Sequence, residues 1–296
     1  YETPLNKKAN GTNIRAEAKI LDGLYQGQVG FIKKWSPAWK TGINFKAFIR
    51  PDERDLQYLL YEDEWGLAQW NTSVNLWAER SYKFGLAKQS SGYMRFDFRS
   101  SSIASDYDYH VLSAELIERY QVWRFEIAWR AYGQIGTGSN FASESSLYMA
   151  GANPEEMMDN KYVRSKAFLP PEWVNQYGST IGNFQYGGGL NLRGYNGYAV
   201  VEVDAQGNTV PAYKGSSGAA INVEFDFDEV VRVKNKWLRT YFDLDTYLFA
   251  DGGAIVFDNS IGNREWSDFR LDAGAGVAFT IKKWGVLQGL KPLTFR

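Results

Sequence analysis

Few residues in this chain have types and spacings suited to covalent or acid–base chemistry. It holds one histidine, His110, and no cysteine. A Ser-His-Asp relay therefore has a single candidate base, and disulfides and thiolate metal sites are excluded. His110 lies in an alternating run and reads as a strand-end residue rather than a base. The acid pairs Glu155/Glu156, Asp226/Asp228 and Asp243/Asp245 are spaced for proton sharing, and Asp226/Asp228 for Ca²⁺. In a chain with 34 Asp and Glu, charge on a polar wall accounts for all three. No catalytic set is visible, and neither a metal nor a cofactor is expected. One stretch differs, Gly187-Gly188-Gly189-Leu190-Asn191-Leu192-Arg193-Gly194-Tyr195-Asn196-Gly197-Tyr198. Three glycines give a backbone that can take positive φ or approach other backbone closely. Arg193 follows, and its planar guanidinium is suited to pairing with carboxylates.

The elements that must position this stretch are strands. Lys and Arg number 33, so the net charge is −1 and nucleic-acid binding has no support. There is no apolar run long enough for a transmembrane helix, and the N-terminal Tyr-Glu-Thr-Pro carries no signal-peptide pattern. The aromatic content, 16%, is high, and 29 glycines accompany it. Abundant aromatics, no cysteine and repeated alternation fit a transmembrane β-barrel, in which only every second residue faces lipid.

Alternation predicts strands at residues 13–21, 25–35, 41–50, 66–87, 93–100, 109–119, 122–132, 219–229, 240–257 and 269–281, with a further one starting at 292. The clearest is 122–132, with Trp123, Phe125, Ile127 and Trp129 on one face and Arg124, Glu126 and Arg130 on the other. Residues 219–229 repeat the arrangement, setting Ile221, Val223 and Phe225 against Asn222, Glu224 and Asp226. These apolar rows are the expected lipid-facing surface. Connectors near 36–38, 88–92, 120–121, 231–237 and 283–290 are short, and those near 51–64, 101–108, 138–216 and 258–268 are longer. Short turns on one rim and long loops on the other suit an outer-membrane barrel. The longest connector, about 139–217, has no strand pattern; irregular segments beyond about 12–15 residues are usually functional or disordered.

Four motifs in register over residues 187–296 resemble the bacterial surface antigen superfamily, which includes the outer-membrane assembly factor BamA, its relative TamA and the two-partner secretion transporters. Asn191-Leu192-Arg193-Gly194-Tyr195 resembles the family's Arg-Gly-Tyr/Phe loop. Phe249-Ala250-Asp251-Gly252-Gly253 resembles its Phe-x-Asp-x-Gly strand, Asp268–Gly276 the following strand, and Gly289–Phe295 the next. Residues 1–186 match only in strand rhythm. The resemblance implies an all-β transmembrane antiparallel barrel of about sixteen strands, about eleven of them within this chain. One barrel domain would then span 1–296, incomplete at both ends, with the 139–217 loop folded into the lumen. It implies a lid-loop motif of Gly188, Gly189, Arg193, Gly194 and Tyr195, with Arg193 paired to Asp251 and Glu224 on the wall.

By the same resemblance the protein is a non-enzymatic outer-membrane component of a Gram-negative bacterium, acting in insertion, assembly or translocation of proteins. Its partners would be outer-membrane lipid, substrate proteins and periplasmic or lipoprotein subunits. An alternative is a barrel that anchors or exports a fused N-terminal peptidase- or lipase-like domain. A passive solute channel is a third, disfavoured by a lumen filled by residues 139–198.

Overall fold

Alternation of apolar and polar side chains becomes a continuous antiparallel sheet in the computed structural model of the chain. The structure describes residues 2–4, 11–21, 23–51, 66–83, 90–160, 163, 188–195, 200–227, 230–231, 235, 237–284 and 292–295. The strands before the long connector are β1 (Glu2–Pro4), β2 (Thr12–Leu21), β3 (Leu24–Lys34), β4 (Trp39–Ile49), β5 (Trp70–Lys83), β6 (Ser91–Ser100), β7 (Asp108–Val122) and β8 (Phe125–Asn140). Within the connector lie β9 (Leu147–Tyr148), α1 (Pro154–Asp159), β10 (Val201–Val203), β11 (Thr209–Pro211) and β12 (Lys214–Gly215). After it come β13 (Ser217–Asp226), β14 (Phe242–Asp258), β15 (Arg264–Trp266), β16 (Arg270–Ile281) and β17 (Leu293–Phe295).

Among the described residues one 13-stranded sheet runs β1 through β8, then β13, β14, β16 and β17, with β15 paired to β14. Each strand pairs antiparallel with its sequence neighbour, and β13 closes against β8 across the connector. The sheet is curved. A single cavity of about 940 Å³ is lined by Arg15 of β2 and Glu224 of β13, which a flat sheet would hold many strands apart.

The concave face carries buried charge, including Lys46, Arg50 and Asp251, while Phe31, Phe96, Leu112, Ile221, Leu248 and Leu271 are exposed on the convex face. That inverts the usual distribution, and an exposed apolar surface of this extent calls for an apolar surrounding. Glycines make room for large side chains across the ladder. A methyl at Gly42, Gly92, Gly274 or Gly276 would run into the ring of Trp77, Tyr82, Phe249 or Tyr247, its register partner in each case.

Several expectations from sequence need correction. Trp123 does not stand in a strand: β8 starts at Phe125, and Trp123 occupies the two-residue turn after Val122 with φ +57°. Its ring stays edge-on to Phe125, which produced the false extension of the alternation. β8 continues through Asn140 and β13 starts at Ser217, so the connector is 141–216 rather than 139–217. It is also not devoid of strands, since β9–β12 are paired within it or against one another. Their lengths of two or three residues are too short to register as alternation. Loop lengths are not cleanly sorted either: β2 and β3 are joined by two residues on the same rim as the long connector. Beyond Pro51 the expected loop 51–64 lies outside the described residues, as do 88–89, most of 231–237, 285–290, Asp228, Gly187 and 196–198.

Candidate functional site

The connector is held against the concave wall at both ends of its buried part. Its apolar body is a cluster of Leu147, Tyr148, Met149, Leu190, Leu192 and Tyr213 packed on Ala220 of β13 and on Ile255 and Phe257 of β14. Backbone hydrogen bonds tie the glycine stretch into it: Leu190 N–H donates to Tyr148 O at 2.9 Å and Leu192 N–H to Met149 O at 3.0 Å. Gly188 (φ +87°) and Gly189 (φ +55°) take left-handed conformations, and a Cβ on Gly188 would lie 2.5 Å from Ala152 Cβ. Only glycine satisfies both the conformation and the approach.

This brings Arg193, in a single 3₁₀ turn Arg193–Tyr195, against β13 and β14. Its Nε donates to Asp251 Oδ2 at 2.8 Å and its Nη2 to Asp251 Oδ1 at 2.9 Å, a two-pronged pairing. Its Nη1 donates to Glu224 Oε2 at 2.7 Å, and its backbone N–H to Asp251 Oδ2 at 3.2 Å. The guanidinium carbon lies 3.9 Å from the centroid of the Phe249 ring. Burial works against the charge on Arg193, but Asp251 and Glu224 outweigh it and hold the group above its usual range. Asp251 is 1% exposed, so the cation and the acid depend on each other.

Gly194 and Tyr195 extend the contact to β16. Gly194 N–H donates to Asp272 Oδ2 at 3.1 Å, and Tyr195 Oη–H to Leu271 O at 3.0 Å. Asp272 faces Asp251 directly across the β14–β16 ladder, so three carboxylates surround one arginine. Sequence reasoning named two of them. The third was on the same polar row of its strand, but only the register brings it beside Asp251. Among the described residues no group of three or more acids and histidines is placed to hold a metal ion.

Two further wall residues missed in the sequence hold the glycine stretch and the residues after it. Arg130 of β8 donates to Gly189 O at 2.9 Å, and its Nε is 2.6 Å from Glu115. Asn222 Nδ2 donates to Asn191 O at 2.9 Å and to Asp251 Oδ1 at 3.1 Å. Both lie on faces recognisable as polar, but nothing in the sequence points them at the connector.

The acids Glu155 and Glu156, expected from sequence to be solvated or wall charge, belong to α1 and face the wall. Asn153 caps the helix, accepting from Glu156 N–H at 2.8 Å while Glu156 Oε2 accepts from Asn153 N–H at 3.0 Å. Glu156 also accepts from Gly189 N–H at 3.1 Å, joining the helix to the glycine stretch. Burial pushes the Glu156 carboxyl up, and its backbone donors offset this only in part. Glu155 is buried against Lys46 of β4, at 2.7 Å, and against Arg99 of β6. Asp159 lies 2.5 Å from Lys46 and 3.3 Å from Lys19 of β2. Burial favours protonation of Glu155 and Asp159, but the facing cations override it and hold both below the ordinary carboxylate range. The connector is thus clamped by Arg193 on β13, β14 and β16, and by α1 on β2, β4 and β6.

The remaining candidates fall on the convex side. Ile221 and Val223 are exposed, Phe125 stacks on Phe225 at 5.0 Å, and Ile127 and Trp129 stand on the same row. His110 lies near the start of β7, exposed.

No protein-family model matches the sequence, and no curated protein is similar to it. Among solved structures, the whole chain superposes on the crystal structure of BamA from Haemophilus ducreyi lacking POTRA domains 1–3, with a TM-score of 0.54 and 12% identity. The chain spans 56% of the length of that one. At this identity the likeness is one of fold, and it fits a curved antiparallel sheet carrying an inserted connector.

Proposed function

We propose that the chain is a transmembrane β-barrel domain of the bacterial outer membrane, of surface antigen type, and that it acts in the insertion, assembly or translocation of proteins there. The convex apolar face is the lipid-facing surface, and the connector 141–216 is a lid held in the lumen. The observation that carries this reading is the Arg193 clamp. A loop crosses a charged wall and is fixed there by a planar pairing to Asp251 and Glu224, in the register of the family's loop motif. A soluble sheet has no use for an apolar outer face and a polar interior filled by its own loop. The fold likeness and the exposed Trp70, Trp123 and Trp266 at or next to strand ends support the same reading. Partners are then membrane lipid, substrate chains and periplasmic or lipoprotein subunits.

The test is reconstitution of the whole protein in liposomes and measurement of how fast an unfolded outer-membrane barrel inserts. Faster insertion than in empty liposomes, diminished by Arg193→Ala, is expected. A fully inserted protein that leaves the rate unchanged would contradict the assembly role.

A further inference from the structure

Glu118 stands on the convex face, in the same row of β7 as the exposed Leu112 and Val122. It is four residues from the end of its strand, beside the turn that carries Trp123, which is 78% exposed. Three aromatic side chains converge on its carboxylate. Tyr82 Oη–H donates to Oε1 at 2.7 Å, lying across Gly92 of β6, where any larger residue would block it. Tyr120 Oη–H donates to Oε2. Trp129 stands directly opposite on β8. Both hydroxyl donors are neutral. They solvate the charge without cancelling it, and among the described residues no cation pairs with Glu118. Arg80 is exposed on the same face, two residues before Tyr82, and no described carboxylate pairs with it.

On a face turned to lipid, a carboxylate that meets no cation among the described residues is costly unless one from outside completes it. On the membrane reading above, on which this inference rests, we propose that Glu118, Tyr82, Tyr120, Trp129 and Arg80 form a binding site for the phosphoethanolamine headgroup of a phospholipid. The primary ammonium donates to Glu118 and lies among aromatic rings, and the phosphodiester faces Arg80. A glycerol headgroup lacks the ammonium, and a choline headgroup lacks N–H donors for the carboxylate. The site sits where a headgroup would be, at the strand ends beside the turn.

The experiment reconstitutes the whole protein in bilayers of equimolar phosphatidylethanolamine and phosphatidylglycerol, then counts the lipids retained on release by native mass spectrometry. Folding into the bilayer is checked by heat-modifiable mobility. Wild type should retain phosphatidylethanolamine over phosphatidylglycerol at a ratio about tenfold above that of the bulk bilayer, the effect of one charge-assisted hydrogen bond. Glu118→Gln and Arg80→Ala should each return the ratio toward bulk while folding as wild type does. Folded Glu118→Gln with undiminished retention would overturn the site and leave the membrane reading standing. Preferential retention of phosphatidylglycerol would also overturn it, assigning the surface to anionic headgroups. Failure of wild type to enter the bilayer would overturn the membrane reading, and the site with it.

Discussion

Arg193→Ala should be the most damaging single change at the clamp. The Asp251 side chain is fully buried and that of Glu224 is 15% exposed, and both lose the cation they share when Arg193 is removed. Removing one partner of a buried ion pair costs about 3–5 kcal/mol, because the remaining charge is stranded. Asp272, facing Asp251 across the ladder, adds repulsion that the arginine otherwise offsets. Glu224→Gln leaves the two-pronged pairing with Asp251 intact and should cost about 1 kcal/mol, the weakening of one hydrogen bond. The difference of about 2–4 kcal/mol is a 30- to 1000-fold change in the share of molecules with the connector released. Arg193→Lys keeps the charge without the fork and should fall between. Adding Asp251→Asn to Arg193→Ala should recover part of the loss, since the stranded charge is gone. Protease cleavage of the connector in the folded, detergent-solubilised protein reads this directly. Equal cleavage of Arg193→Ala and Glu224→Gln would refute the buried-charge reasoning.

Other expectations follow from the same geometry. Gly188→Ala should destabilise the connector more than Gly207→Ala, measured by thermal unfolding. Both have φ above +80°, but only Gly188 has a neighbour in the way, whereas nothing lies within 4 Å of the position at Gly207. Acid should loosen α1: Glu155 and Asp159 are depressed when folded, so their contribution is full above the ordinary carboxylate pKa of about 4 and is lost as pH falls below it. Asp204, held down to about 2 by Ser260 and backbone N–H donors, weakens in the same window. Glu156 has the opposite sign, because burial raises it and its protonated form is favoured. Protease accessibility of the connector should therefore rise between about pH 4 and 2, and Glu155→Gln should flatten the profile. A flat wild-type profile would rule out the α1 ion pairs as anchors. On the convex face, Ile221→Arg should cost about 2–4 kcal/mol in bilayer unfolding and Phe125→Arg about 0–1. The reason is position: Ile221 is mid-strand, whereas Phe125 is the first residue of β8 and near an interface. Equal costs would place the strand at a different depth.

What was legible in the sequence was whatever repeats or is local. Period-two alternation located the ten long strands, because their concave faces are mainly polar and their convex faces mainly apolar. It misplaced Trp123, because a turn residue packed on Phe125 imitates the next member of the row. The connector was visible as a gap in the alternation, but not its helix or its short strands, whose formation depends on packing against distant strands of the wall. Arg193, Asp251 and Glu224 could be named together only through the motif resemblance. Asp272, Arg130, Lys46 and Arg99 required the ladder register and the path of the connector, which bring together residues up to about a hundred positions apart. Glu155 and Glu156 read as solvated or wall charge without partners named, because nothing local distinguishes a buried acid such as Glu155, whose cations lie on distant strands.

The position of the connector tip against β16 can be tested most directly with a cysteine pair. The chain has no cysteine, so Gly194→Cys with Asp272→Cys introduces the only thiols. A Cβ on Gly194 would lie 2.7 Å from that of Asp272, close enough for a disulfide after a shift of about 1 Å. In the protein folded in its native membrane, a disulfide should form across nearly all molecules under mild oxidation, detected as altered mobility that reductant reverses. Free thiols on both cysteines in a correctly folded barrel would contradict a connector clamped against the inner wall.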